Sequence, residues 1–161
     1  MLLFHGSNTI VKTPQLIEQT RGLDFGSGFY LTTSEDQARR FSEIIVNRRK
    51  NGNPTVSYYE FDVASAEQSL AICRFTEANA EWLEFVKDNR LRQYTGATYD
   101  IVSGAVANDD VMPTIQGYLS GLLSAEAAVL TLKTRKLVDQ FCLKSNKALA
   151  LLHFIKAEVL Q

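Results

Sequence analysis

Asn51-Gly52-Asn53-Pro54 separates two kinds of periodicity in this chain. Before it, Ala38, Phe41, Ile44 and Ile45 recur at helical spacing and carry an apolar stripe through to Arg49. After it, residues 55–63 alternate as a half-buried strand does, with Tyr59, Phe61 and Val63 on one face and Val56, Tyr58, Glu60 and Asp62 on the other. Asn, Gly and Pro in succession stop a helix and turn the chain. A sequence that changes period across four residues mixes both element types, so the fold class expected is α+β.

The rest of the chain repeats that mixture. Strands are predicted over residues 2–5 and 29–33, joined by a long connection over residues 8–22 with one helical turn at most. Ser34 with Gln37 three residues on forms a capping box for the helix that follows. Residues 70–75 are an apolar run, after which Thr76 is placed as the cap of a helix bearing Ala78, Trp82, Phe85, Val86 and Asn89. Residues 100–106 read as a buried strand. Asn108 and Asp109 then cap a helix with Val111, Ile115, Tyr118, Leu119 and Leu122 on its stripe, closed by Gly121, and Ser124 opens another through Leu132. A strand over 137–143, a short helix over 146–152 and a strand over 153–159 complete the expectation.

With 161 residues, 45% hydrophobic and 22% charged, the chain has the composition of one soluble domain spanning 1–161. No apolar stretch reaches the roughly 20 residues of a membrane span. The opening Met-Leu-Leu-Phe-His is shorter than the roughly 7 to 15 residues of a signal-peptide core, so a cytoplasmic protein is expected. Cys73 and Cys142 lie far apart in apolar runs and are expected as reduced thiols. The net charge of −1 hides an acidic middle, residues 51–130, which disfavours a broad nucleic-acid surface. Arg39, Arg40, Arg48, Arg49 and Lys50 are the local exception, read as a solvated helix face whose last cations suit the dipole.

Two short segments carry most of the chemistry. His5-Gly6-Ser7 closes the first apolar run, and Asp24-Phe25-Gly26-Ser27-Gly28-Phe29-Tyr30-Leu31-Thr32-Thr33 follows about two dozen residues later. A His before a Gly, and glycines leading into an aromatic pair, build a nucleotide pocket from backbone and rings. Taken alone, each residue has a plain structural use: a satisfied His, core aromatics, turn glycines. No phosphate loop, metal cluster or catalytic triad competes with these segments.

Residues 2–7 and 26–32 resemble the first two signature segments of ADP-ribosyltransferases of the diphtheria-toxin and poly(ADP-ribose) polymerase branch. That branch places a His, a Tyr and usually a Glu on three strands. Nearly the whole chain is similar to an uncharacterised bacterial family of small domains of this fold, in which the run over residues 99–110 is also typical. The resemblance implies split β-sheets flanked by helices. In the third signature the best match is Asp139-Gln140-Phe141-Cys142-Leu143, so Gln140 fills the glutamate position. Glu60 and Asp109 are carboxylates weighed as substitutes for it.

The implied roles follow residue by residue. His5 would hydrogen-bond a ribose hydroxyl in the adenosine half of NAD, the backbone of Gly6 would hold the nicotinamide carboxamide, and Tyr30 would stack on the nicotinamide ring. Ser7 and Thr32 would add hydroxyl contacts, Gly26 and Gly28 would let the chain pass close to the ligand, and Phe25 or Phe29 would line the slot. Gln140 keeps the hydrogen bond to the ribose 2'-hydroxyl but brings no charge and cannot act as a general base. The function implied is slow transfer of one ADP-ribose unit from NAD to a macromolecular acceptor, protein or nucleic acid, with release of nicotinamide. A bacterial toxin paired with an antitoxin fits such a domain. An NAD glycohydrolase, or a module that binds NAD, ADP-ribose or a partner without catalysis, are the alternatives; no metal is implied.

Overall fold

The computed structural model describes residues 1–18, 21–106, 111–134 and 137–160. Strands β1 (Leu2–Ser7), β3 (Thr55–Phe61) and β7 (Leu152–Val159) form an antiparallel sheet in the order β1-β3-β7. Strands β2 (Phe29–Leu31), β4 (Ile72–Arg74), β5 (Ile101–Ala105) and β6 (Asp139–Leu143) form a second sheet in the order β2-β6-β5-β4, parallel only between β4 and β5. Among the described residues a single bridge, Phe4 to Thr32, joins the two. The α+β class expected from the periodicities holds.

Six helices accompany the sheets among the described residues. Helix α1 (Glu35–Arg49) covers one face of the first sheet, where Ala38 packs with Phe4, Val56 and Tyr58. Its cap is Ser34, which accepts the Gln37 N–H at 3.3 Å. The returning half of the expected capping box comes from elsewhere: the Thr32 hydroxyl, not the Gln37 side chain, accepts the Ser34 N–H at 3.1 Å. The buried stripe is also rotated from the expected one. Ala38, Ser42 and Ile45 are buried, while Phe41 and Ile44 face outward. The helix ends where Lys50 turns left-handed, φ 56°, and Gly52 at φ 72° packs on the carbonyl of Asn8.

Strand β3 departs from its expected half-buried alternation, since residues 55–59 are buried on both faces. As the central strand it has α1 on one side and an apolar layer on the other. That layer joins Leu3, Tyr59 and Phe61 of the first sheet to Phe29, Leu31, Ile101 and Leu143 of the second. Val63, expected at the strand's end, instead opens helix α2 (Val63–Ser69), capped by Asp62. The outermost strand, β7, carries a bulge opposite Tyr58 and Tyr59, whose partners are Lys156 and Phe154, so Ile155 is the extra residue.

Helices α3 (Ala80–Arg90), α4 (Met112–Leu119) and α5 (Ala125–Lys133) cover the outer face of the second sheet. Trp82, Leu83, Val86, Ile115 and Leu132 pack there on Phe25, Val102 and Cys142. Asn79, rather than Thr76, caps α3 by accepting the Trp82 N–H at 2.9 Å. Ser124 caps α5 as expected. Asn108 and Asp109 lie outside the described residues, and Leu122, expected on the α4 stripe, is exposed. Helix α6 (Asn146–Leu149) is shorter than predicted, and β7 begins at Leu152. No helix among the described residues is long and apolar enough to cross a membrane.

Candidate functional site

The site begins with the hydrogen-bond parity of β1. Met1 and Phe61 exchange backbone hydrogen bonds of 2.8 Å each, so odd residues of β1 pair with β3 and even residues turn their N–H and C=O to the other edge. Phe4 accordingly exchanges bonds of 2.9 and 3.0 Å with Thr32. In an unbroken ladder the next pair would be Gly6 with Tyr30. The sheets part at this point instead, and the Tyr30 carbonyl meets the His5 ring at 2.7 Å from Nδ1. A carbonyl only accepts, so Nδ1 bears the hydrogen and Nε2 is left as an acceptor. Gly6 turns its N–H and C=O toward the same parting.

His5 is half-buried and stacks on Phe29, with ring centroids 4.3 Å apart and planes 29° from parallel. Burial holds its imidazole below the usual histidine value despite the bond to the Tyr30 carbonyl, and the Arg49 guanidinium pushes the same way. Neutral His5, its tautomer fixed from behind, is a hydrogen-bond acceptor for a hydroxyl. The ring of Tyr30 leaves β2 on the opposite face from Phe29 and packs on the core beneath α3–α5. Its hydroxyl donates to the Gly26 carbonyl at 2.6 Å and accepts the Phe25 N–H at 3.1 Å. Burial drives that phenol well above its usual range.

The remaining residues of the two segments are held by packing. A Cβ on Gly6 would lie 2.0 Å from the Ala38 carbonyl, so glycine is needed there for the approach of α1. A Cβ on Gly28 would lie 2.4 Å from Cys142 Sγ, and Gly26 takes φ 75°. Phe25, expected to line the slot, is fully buried against Phe75 and Phe85. Thr32, expected to offer its hydroxyl to a ligand, spends it on Asp139 at 3.2 Å and on the Ser34 N–H. Ser7 is buried at the end of β1.

Gln140 stands on β6 on the same face as Cys142, which is Tyr30's cross-strand partner, so Gln140 and Tyr30 are diagonal neighbours. Its side chain is buried, and Nε2 donates to Asp24 Oδ2 at 2.9 Å and to the Ala105 carbonyl at 3.3 Å. Asp24 is itself paired with Arg90 of α3, at 2.7 Å from Nε and 2.5 Å from the terminal nitrogen. Glu60, weighed as a substitute carboxylate, is exposed on β3 beside a shallow depression lined by Met1, Asp62 and His153. That depression, and a small apolar cavity beneath α2, lie by Met1 rather than by His5 and Gly6. Directed hydrogen-bonding groups at the parting, more than concavity, mark the candidate site.

Residues 1–154 match the family described as Protein of unknown function (DUF3990). This chain belongs to the DUF3990 family. No curated protein and no solved structure matches it.

In this DUF3990 chain the structure brings together His5, Gly6, Phe29 and the Tyr30 backbone. Gln140 is set one strand away, on Tyr30's side of the sheet. Sequence reasoning missed Asp24, Arg90 and Asp139. Asp139 accepts the Thr33 N–H at 2.9 Å and the Thr33 hydroxyl at 2.7 Å, which ties β6 to the end of β2. Asp24 stands immediately before Phe25 in the glycine-rich segment, and its acidity beside an apolar run was the signal available. Among the described residues no group of three or more His, Cys, Asp or Glu is placed to hold a metal ion.

Proposed function

We propose that this protein is an NAD-dependent mono-ADP-ribosyltransferase of the split-sheet type, acting at the parting of β1 and β2. What supports the reading is one arrangement: His5, neutral and fixed by the Tyr30 carbonyl, beside a Gly6 whose N–H and C=O face the opening between the sheets. A strand edge with adjacent donor and acceptor is complementary to a carboxamide, which has both. Histidine Nε2 suits a ribose hydroxyl, and the Phe29 ring stacked on His5 supplies an apolar wall. His5, Gly6, Phe29, Tyr30 and Gln140 would hold NAD; Phe25, Gly28 and Thr32 serve the scaffold.

Loss of nicotinamide leaves positive charge on the ribose carbon, and a site that stabilises this charge more than the ground state accelerates the step. Gln140 contributes an acceptor without a formal charge, so transfer is slow and stops at one unit. The acceptor is a macromolecule in the cytoplasm, and the activity is that of a toxin silenced by an antitoxin. A second reading, a module that binds NAD or ADP-ribose without turnover, draws on the neutrality of Gln140.

Labelled NAD tests the proposal. Incubated with the protein and a cell extract, it is expected to yield free nicotinamide and label on macromolecules, both lost in His5→Ala. Nicotinamide without label points to a glycohydrolase. Binding without either product points to the module, and no binding overturns the NAD reading altogether. Expression of the wild-type chain, but not of His5→Ala, is expected to arrest growth.

A further inference from the structure

The side-chain amide of Gln140 faces two groups that only accept hydrogen bonds, the Asp24 carboxylate and the Ala105 carbonyl. Reversing the amide would set oxygen against oxygen at both contacts, so it has one orientation. Both N–H groups are then used, and what remains to Gln140 is Oε1, an acceptor. A glutamine on a surface is donor and acceptor at once and turns freely. Here it is confined to the hydrogen-bonding character of a carboxylate.

Asp24 does more than brace its loop. Its Oδ1 takes the Arg90 guanidinium, which is enough to fasten the loop to α3, while Oδ2 is spent on Gln140. A carboxylate accepting from an amide N–H polarises the amide and makes its carbonyl oxygen a stronger acceptor. The next two residues, Phe25 and Gly26, hold the Tyr30 hydroxyl through an N–H and a carbonyl. One short segment therefore fixes both Tyr30 and Gln140.

We infer that Asp24 is the positioning residue of the third signature position, orienting and polarising Gln140 so that its Oε1 accepts from the ribose hydroxyl of NAD. The inference rests on the NAD reading above. It also accounts for glutamine at this place. A glutamate at position 140 would set a second carboxylate against Asp24, and two such groups do not both stay charged without cost.

The test is an exchange of acid and amide, read as kcat and KM for nicotinamide release together with Tm. Asp24→Asn is expected to lower kcat on the order of tenfold, with KM for NAD within about twofold. Gln140→Glu is also expected to lose rate. The double variant, Asp24→Asn with Gln140→Glu, puts the amide at position 24 and the carboxylate at position 140, and is expected to regain at least the wild-type kcat. The nitrogen-15 NMR resonance of the Gln140 amide supplies a readout without turnover: its protons are expected to exchange slowly in the wild type and fast in Asp24→Asn. The inference is overturned if folded Asp24→Asn keeps kcat within about twofold, or if the double variant is no better than the single ones. A wild-type protein that neither binds nor cleaves NAD sinks the NAD reading and this inference with it. An active wild type without rescue sinks the inference alone.

Discussion

At residue scale the candidate site constrains Gly6 tightly, because its Cβ direction is filled by the backbone of α1. Gly6→Ala is expected to cost at least about 2 kcal/mol, because the obstacle is main chain and cannot rotate away; urea unfolding measures it. His5 carries a pH signature. Its folded value lies below the ordinary one, so the unfolded chain takes the proton more readily. The stability that neutral His5 contributes is present above about pH 6.5 and lost as pH falls through the folded value. Comparing stability against pH for the wild type and His5→Gln, the variant is expected to be the flatter below about pH 6.5. Burial pushes the Cys142 thiol up to about 11, so a thiol reagent at neutral pH is expected to modify half-buried Cys73 first and Cys142 only after unfolding.

At the scale of elements, β7 is fastened to α1 by a cluster in which Arg39 bonds Glu35 at 2.7 Å and Glu158 at 2.8 Å, with the Tyr58 hydroxyl against both acids. Those contacts hold both carboxyls below their usual range, Arg39 first among the causes. Their contribution is present above the ordinary glutamate value and is lost as pH falls below it. Arg39→Met is expected to remove that part of the acid dependence, seen as a smaller fall in Tm between about pH 5 and 3. Helix starts at Ser34 and Ser124 were legible because a cap is a contact three residues long. Helix α2 was not: residues 63–69 bury only Ala66 and so show no stripe. Burial of β3 on both faces comes from α1 and the second sheet together, which no period within the strand encodes. The His5 and Tyr30 segments were legible as short motifs, whereas the bond from Gln140 to Asp24 spans 116 residues and has no local trace.

On the scale of the whole molecule, the two sheets pack across a shared apolar layer, are bridged among the described residues by the one pair Phe4 and Thr32, and part immediately beside it. NAD bound at the parting is expected to slow hydrogen exchange at the Gly6 amide, while amides in the middle of β5 stay unchanged. Exchange at Gly6 that ignores NAD would place the ligand elsewhere. The far edge of the first sheet has a different problem. Strand β7 is eight residues long and presents one row of backbone groups outward, a template of the kind onto which another chain adds. The extra residue at Ile155 breaks that row and twists the strand, so neighbouring molecules find no straight edge to extend. Deleting Ile155 is expected to leave a chain that clumps into fibrils on concentration, where the parent stays dispersed; light scattering follows it. A single surplus residue thus guards the protein against its own kind in a crowded solution.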